Sequence, residues 1–252
     1  MKSVLLTRSA EDNDDIIRML ESKNFASDKE QLLNQRPKFK YICSPLIKYR
    51  ELGFNSAILY DYNNIIITSK VATKLFVSQF NQQPNLQHQN PIKKIWVVGD
   101  SSNIILGQHN FTIAYKAQNI QELIENIPPQ LYKQSIYLSS NEITQDLPSA
   151  IKRQIIYEVQ YANTLHHIEE IKKGVDYILL YSQNSAKTLV TLLKQNNLLE
   201  LFFSTKVITI SEKVATIIRF FTKNVIYCNG GQPEEMLTLL TSQCGSMPGK
   251  NI

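Results

Sequence analysis

The chain has 252 residues, with 27 Lys and Arg against 22 Asp and Glu, a net charge of +5 and 43% hydrophobic residues. That length holds one large domain or two ordinary ones, and the apolar content is enough for packed cores. No apolar run approaches the roughly 18 residues of a membrane span. The apolar run within Met1–Arg8 is too short for a signal peptide, so a soluble, cytoplasmic protein is expected.

Three cysteines, Cys43, Cys228 and Cys244, are an odd number without metal-ligand spacing, which excludes a disulfide framework and a zinc site from the reading. Asn110–Thr112 matches a glycosylation acceptor, but no secretory signal accompanies it. The positive balance favours an anionic partner. Arg36, Lys38, Lys40, Lys48 and Arg50 are interleaved with Phe39, Tyr41 and Tyr49, without the motif of a nucleic-acid-binding module. This segment reads as a solvated connector, with steering of a small polyanion as the functional alternative, and no nucleic acid is expected as partner.

In chain order, Ser3–Thr7 reads as a strand and Asp12–Ser22 as a helix with an acidic first turn and the apolar stripe Ile16, Ile17, Leu20. Arg8 stands at the strand's carboxyl end, where open α/β sheets bind ligands. Lys40–Ile47 alternates poorly and contains Pro45, so it reads as a crossing segment. Ile65–Ile67 is a short continuous apolar run, the pattern of a parallel strand buried on both faces, followed by Thr68-Ser69 and a helix through Val71, Leu75 and Phe76. Asn81–Pro91, with His88, is rich in amides and prolines and reads as a surface loop.

Lys94–Val98 is the next buried strand. It runs into Gly99, Asp100, Ser101 and Ser102, where glycine allows positive φ or close approach to a ligand. Strands over Phe111–Tyr115 and Ser135–Ser139 flank a helix at Ile120–Asn126, and Ile143–Arg153 is expected as a helix that Pro148 either interrupts or opens, in shorter form, at its first turn. Gln154–Ala162 alternates, with Tyr157 on one face, and reads as an antiparallel or connecting strand. His166 and His167 point to different helix faces and do not make a metal pair.

The Asp61–Phe76 stretch then returns in altered form as Asp176–Val190, where the strand Ile178–Leu180 is followed by Ser182–Ser185 and a helix. Each turn caps a helix with a side-chain oxygen and turns backbone N–H groups outward, an arrangement suited to an anion. The unit around Lys94–Leu106 is echoed by Lys206–Ile210, Ser211–Ala215 and Thr216–Arg219. Asn224–Cys228 is a last strand, Pro233–Leu240 a last helix, and Thr241–Ile252 a frayed tail. Alternating strands and helices give parallel sheets covered on both faces, the α/β class.

Leu5–Arg8, Ser44–Ile47, Tyr62–Ser69, Val97–Gly99, Ile156–Glu158, Asp176–Ser182 with Ser185, and Gly230–Leu237 resemble, in that order and at similar spacing, uroporphyrinogen-III synthase. The resemblance implies two flavodoxin-like domains facing a cleft, joined by a two-stranded ladder near residues 41–45 and 155–161. Residues 1–39 with 162–252 would form one domain and 40–161 the other. It implies a monomer that needs no cofactor and no metal and cyclises hydroxymethylbilane, a linear tetrapyrrole with many carboxylates, with loss of water and inversion of the terminal ring. The enzyme that makes hydroxymethylbilane is a candidate partner, and no membrane is involved.

By the same resemblance Tyr157 is the proton donor to the departing hydroxyl, the alternative being a tyrosine packed for structure. Thr68, Ser69, Gly99, Ser101, Ser102, Ser182, Ser185, Ser211 and Lys213 lie on substrate-facing turns, and Arg8 meets a carboxylate. Thr68-Ser69 is expected to face Ser182–Ser185. Two departures stand out. Ser211 and Val214 replace the family's glycine and threonine, and the usual Gly and Arg are missing from Ser139–Asp146. They leave open a catalytically impaired homologue that binds or scaffolds tetrapyrroles.

Overall fold

The computed structural model describes residues 1–22, 38–82, 94–109 and 111–245. The chain divides into two compact units, Met1–Lys48 with Tyr161–Ile252, and Tyr49–Gln160. The first unit opens with β1 (Lys2–Leu6), α1 (Ala10–Glu21) and β2 (Phe39–Cys43). β3 (Ile47–Glu51) carries the chain onward. The second unit continues through β4 (Asn64–Ile67), α2 (Lys70–Asn81), β5 (Lys94–Val98), α3 (Asp100–Gln108), β6 (Ile113–Ala117), α4 (Ile120–Asn126), β7 (Ser135–Ser140) and β8 (Lys152–Tyr161). The chain then completes the first unit with α5 (Ile168–Ile171), β9 (Tyr177–Leu180), α6 (Gln183–Gln195), α7 (Leu201–Ser204), β10 (Lys206–Thr209), α8 (Glu212–Arg219), β11 (Val225–Tyr227) and α9 (Pro233–Gly245).

In the first unit the sheet order is β2-β1-β9-β10-β11, all parallel. Counted within the unit this is the doubly wound order 2-1-3-4-5. β9 is buried along its whole length because both faces are covered. Leu5, Ile178, Leu180 and Val207 pack with Ala186, Leu189 and Leu193 of α6 and with Val214 and Ile218 of α8. Val4, Leu6, Leu179 and Ile208 point the other way, onto Ile16 of α1 and Met236, Leu237 and Leu240 of α9. The period-2 alternation of each strand thus splits one apolar run between two cores.

The second unit orders its parallel strands β6-β5-β4-β7-β8, with β3 at the edge beside β8. This is the order 3-2-1-4-5 of the other common doubly wound sheet. Ile65, Ile67, Ile95, Val97, Ile136 and Leu138 pack with Ala72 and Phe76 of α2 and Leu106 of α3. Ile66, Trp96 and Tyr137 face Leu123 of α4, Ile127 and Ile151. In the first unit α1 after β1 and α6 after β9 cover opposite faces of the sheet, and in the second α2 after β4 covers one face while the irregular stretch after β7, through Ile143, Leu147 and Ile151, covers the other. A crevice opens at the carboxyl ends of such strand pairs, and open α/β sheets bind ligands there.

Several sequence expectations need correction. The crossing segment expected near 41–45 is β2, a parallel edge strand on β1, and Pro45 lies beyond its end. The strand beside β8 is β3; Leu52 N–H donates to Ile156 O at 2.9 Å and Ala162 N–H to Leu46 O at 2.9 Å, so the two run in opposite directions. No helix forms over Ile143–Arg153, since Pro148 lies in an irregular stretch and β8 begins at Lys152. β8 is parallel to β7, so it is a full member of the sheet. The last helix runs on to Gly245, taking in the start of the expected tail. Asn81, expected to open a surface loop, is the last residue of α2, and Arg36, residues 83–93 with His88, Asn110 and residues 246–252 lie outside the described residues.

Candidate functional site

In the second unit, β4 ends on a turn that two tyrosines reach from opposite faces of the sheet. Ser69 caps α2, its Oγ accepting from Ala72 N–H at 3.1 Å. A hydroxyl is needed there because the first turn of a helix leaves its N–H groups unpaired. The same Ser69 Oγ lies 3.0 Å from the Tyr157 hydroxyl. One residue earlier, Thr68 Oγ1 is 2.8 Å from the Tyr137 hydroxyl. Tyr157 packs with the core that covers α2, and Tyr137 with the core beneath α4, so the alternation of Thr68 and Ser69 gives each hydroxyl its own tyrosine.

Tyr157 is only 5% exposed, and its ring meets Tyr49 edge-on at 5.7 Å between centroids. These contacts hold the phenol in one place while its hydroxyl stays among hydroxyls. Burial pushes the Tyr137 phenol up; the Thr68 hydrogen bond and the charge of Arg153 pull it down, while Tyr157 adds to the rise.

Arg153 sits opposite Tyr137 in the β7–β8 register and reaches along the strand to the turn after β7. Its Nε donates to Ser139 Oγ at 2.9 Å, and its Nη2 donates to the carbonyls of Ser140 at 2.7 Å and Asn141 at 3.0 Å. Asn141 N–H in turn donates to Tyr157 O at 3.1 Å. At the next turn Gly99 adopts φ +82 before α3, a conformation that favours glycine. Ser101 is exposed, whereas Ser102 is 2% exposed and turned inward.

In the first unit the corresponding turns follow β1 and β9. Arg8, expected to meet a substrate carboxylate, is already paired with Asp12 at 3.1 Å and lies 4.9 Å from the Tyr181 ring centroid. Asp12 is fixed by Ser9 Oγ at 2.9 Å, since Ser9 caps α1. The Tyr181 hydroxyl is buried with no hydrogen-bond partner among the described residues, and burial drives its phenol upward.

Ser182 caps α6 through Ser185 N–H at 3.0 Å and also donates to Ser185 Oγ at 2.8 Å, so these two hydroxyls satisfy each other. Ser211 caps α8 with no side-chain bond; Lys213 is exposed, and its carbonyl accepts from Gln183 Nε2 at 3.3 Å. Val214 is 3% exposed and belongs to the core, which accounts for an apolar residue at that position. The Gly230–Leu237 motif is a helix entry: Glu235 accepts from Asn229 N–H at 3.0 Å and Gly230 N–H at 2.8 Å.

The turns after β4 and β5 thus bring together Thr68, Ser69 and Gly99 in the second unit, and those after β9 and β10 bring Ser182, Ser185, Ser211 and Lys213 near one another in the first. Sequence reasoning passed over Tyr137 and Arg153. A tyrosine inside a wholly buried strand needs a partner for its hydroxyl, and that was the available signal for Tyr137. None marked Arg153. Among the described residues no group of three or more His, Cys, Asp or Glu could hold a metal, and no helix is long and apolar enough to cross a membrane.

The family model described as uroporphyrinogen-III synthase HemD matches residues 27–237. An uncharacterised protein of Rickettsia prowazekii is 40% identical, the match covering 95% of this chain and 98% of that protein. Among solved structures, a uroporphyrinogen-III synthetase from Helicobacter pylori superposes with a TM-score of 0.60 at 16% identity, covering 96% of this chain and 99% of the other. A mutant uroporphyrinogen III synthase from Thermus thermophilus gives 0.55 at 10% identity, with 97% and 98% covered. At such identities the two structures speak for the fold.

Proposed function

Because the chain belongs to the uroporphyrinogen-III synthase family, we propose that it closes hydroxymethylbilane to uroporphyrinogen III, a lyase reaction that releases water and inverts the last pyrrole ring. The observation that carries the catalytic assignment is the Tyr157 hydroxyl, held 3.0 Å from Ser69 Oγ at the carboxyl end of the second unit's sheet. Loss of the terminal hydroxyl leaves an electrophilic azafulvene, and that departure needs a proton. Tyr157 donates it. The proton released when the ring finally closes returns to the phenolate, so no acid is consumed overall.

The uncatalysed closure gives the symmetric isomer, so the protein's task is chiefly to position a reactive chain. The hydroxyls and helix-terminal amides at Thr68, Ser69, Gly99 and Ser101 in one unit, and at Ser182 and Ser211 in the other, offer donors for the substrate's carboxylates. Lys213 adds a charge. The interior placement of Ser102 and Ser185 gives those two a supporting role beneath the turns. Val214 in the core argues that the altered Ser211–Ala215 turn serves packing.

Expression in a bacterial strain that lacks its own synthase tests the proposal. Restored haem-dependent growth is expected; no growth despite abundant soluble protein would count against it.

A further inference from the structure

We propose that Arg153 supplies the positive charge that holds one carboxylate of the anionic substrate at the carboxyl end of the six-stranded sheet. The inference rests on the reading of the chain as a synthase of a polycarboxylate tetrapyrrole, and it concerns a residue outside the turns considered so far.

Each of the other described arginines is matched to an acid: Arg8 to Asp12, Arg18 to Asp15, Arg50 to Glu158 and Arg219 to Glu212. Arg153 alone among the described arginines has no carboxylate. Its three bonds go to a hydroxyl and two backbone carbonyls, all neutral. They use the Nε hydrogen and both Nη2 hydrogens, leaving two Nη1 hydrogens and the whole charge without an anion. A half-buried guanidinium in that state favours an incoming carboxylate more than an exposed one does, because less water screens it.

The guanidinium is also held in advance. The Ser139 hydroxyl and the carbonyls of Ser140 and Asn141 fix its plane, so little side-chain freedom remains to be lost on binding. Its place is the right one as well. Ser140 lies opposite Tyr157 in the β7–β8 register, and the Tyr137 phenol that feels the Arg153 charge bonds Thr68. The charge therefore lies at the same end of the same sheet as Thr68, Ser69 and Tyr157. Arg8, the cation expected from sequence, has its charge compensated by Asp12.

The test compares wild type with Arg153→Gln and Arg153→Lys. Uroporphyrin III, a fluorescent polycarboxylate that does not turn over, is titrated into each at low and high salt, and KM and kcat are measured with hydroxymethylbilane. Loss of one charge-assisted pair predicts that Arg153→Gln weakens uroporphyrin binding and raises KM by roughly tenfold, with kcat changed less than about threefold and a shallower salt dependence. Arg153→Lys falls between, since it keeps the charge without the fork.

A role confined to bracing the 139–141 turn would instead lower thermal stability and kcat while leaving Kd and its salt dependence intact, and that result overturns the proposal. If Arg153→Gln does not fold, Arg153→Met takes its place, and a wild-type Kd and salt dependence for that uncharged variant overturns the proposal equally. Wild type that binds uroporphyrin without turnover, with weakened binding in Arg153→Gln, would refute the synthase reading and keep Arg153. Wild type that turns over, with both variants within about twofold in Kd and KM, would refute Arg153 alone.

Discussion

Replacing Tyr157 by Phe separates chemistry from architecture. The ring is 5% exposed and keeps its edge contact with Tyr49, so the variant loses one hydroxyl and little packing. The lost bond to Ser69 Oγ is between neutral groups, worth about 0.5–1.5 kcal/mol. Ser69 still accepts from Ala72 N–H, so the α2 cap survives. For a chain of this size such a loss lowers Tm by about 2–4 °C per kcal/mol. If the hydroxyl only orients Ser69, the same energy slows turnover by about tenfold at most. If it donates the proton, the loss is about 10²–10⁴-fold. The two readings therefore do not overlap. The assay is the initial rate of hydroxymethylbilane consumption above the spontaneous rate, beside a thermal melt. We expect a loss of at least about 100-fold with a Tm shift under about 5 °C. A rate within about twofold of wild type refutes the proton-donor role.

Three further outcomes follow from the first unit. Ser182→Ala removes the α6 cap and its bond to Ser185, so Tm should fall by about 2–4 °C for a cost of about 1 kcal/mol; an unchanged melt contradicts the capping role. Val214→Thr places a hydroxyl in the core at a cost of about 1–3 kcal/mol, and should destabilise the protein without raising turnover. A faster variant would show that the valine impairs catalysis.

Asp176 titrates in a direction that makes it an acid-sensitive tie. Burial pushes its carboxyl up, but Lys2 Nζ at 2.7 Å and the Ser3 N–H and hydroxyl at 2.8 and 2.9 Å outweigh that and hold it below the usual aspartate value. A depressed folded-state value stabilises the protein above the unfolded pKa of about 3.9, and this is lost as pH falls through the folded value. Asp176→Asn should therefore melt lower than wild type near neutral pH, and the gap should close on acidification below about pH 4. A gap that does not vary with pH refutes the tie.

The parts of the fold legible in sequence were those decided by neighbours along the chain. Ile65–Ile67 and Ile178–Leu180 have the pattern of doubly covered strands, and Ser69 and Ser182 follow them where a cap is needed. What escaped depended on lateral pairing. β2 reads as a connector because Pro45 lies nearby, yet the strand ends at Cys43, and the proline falls between Ser44 and Leu46, whose N–H groups still donate to Leu6 O and Thr7 O. β8 alternates in sequence, but a register shift opposite Ser139 and Ser140 puts the neighbours Ile156 and Tyr157 into one core, and the direction of the strand cannot be read from its own residues. Arg153 and Tyr137 come together only through that β7–β8 register. Likewise, the Arg8–Asp12 pair spans the joint between a strand and a helix, where spacing alone does not foretell contact.

The central claim is tested most directly by the isomer composition of the product. Purified protein is incubated with hydroxymethylbilane generated in situ, the product is oxidised to porphyrin, and the I and III isomers are separated. The account predicts mostly isomer III; a product no richer in isomer III than an enzyme-free control would contradict it.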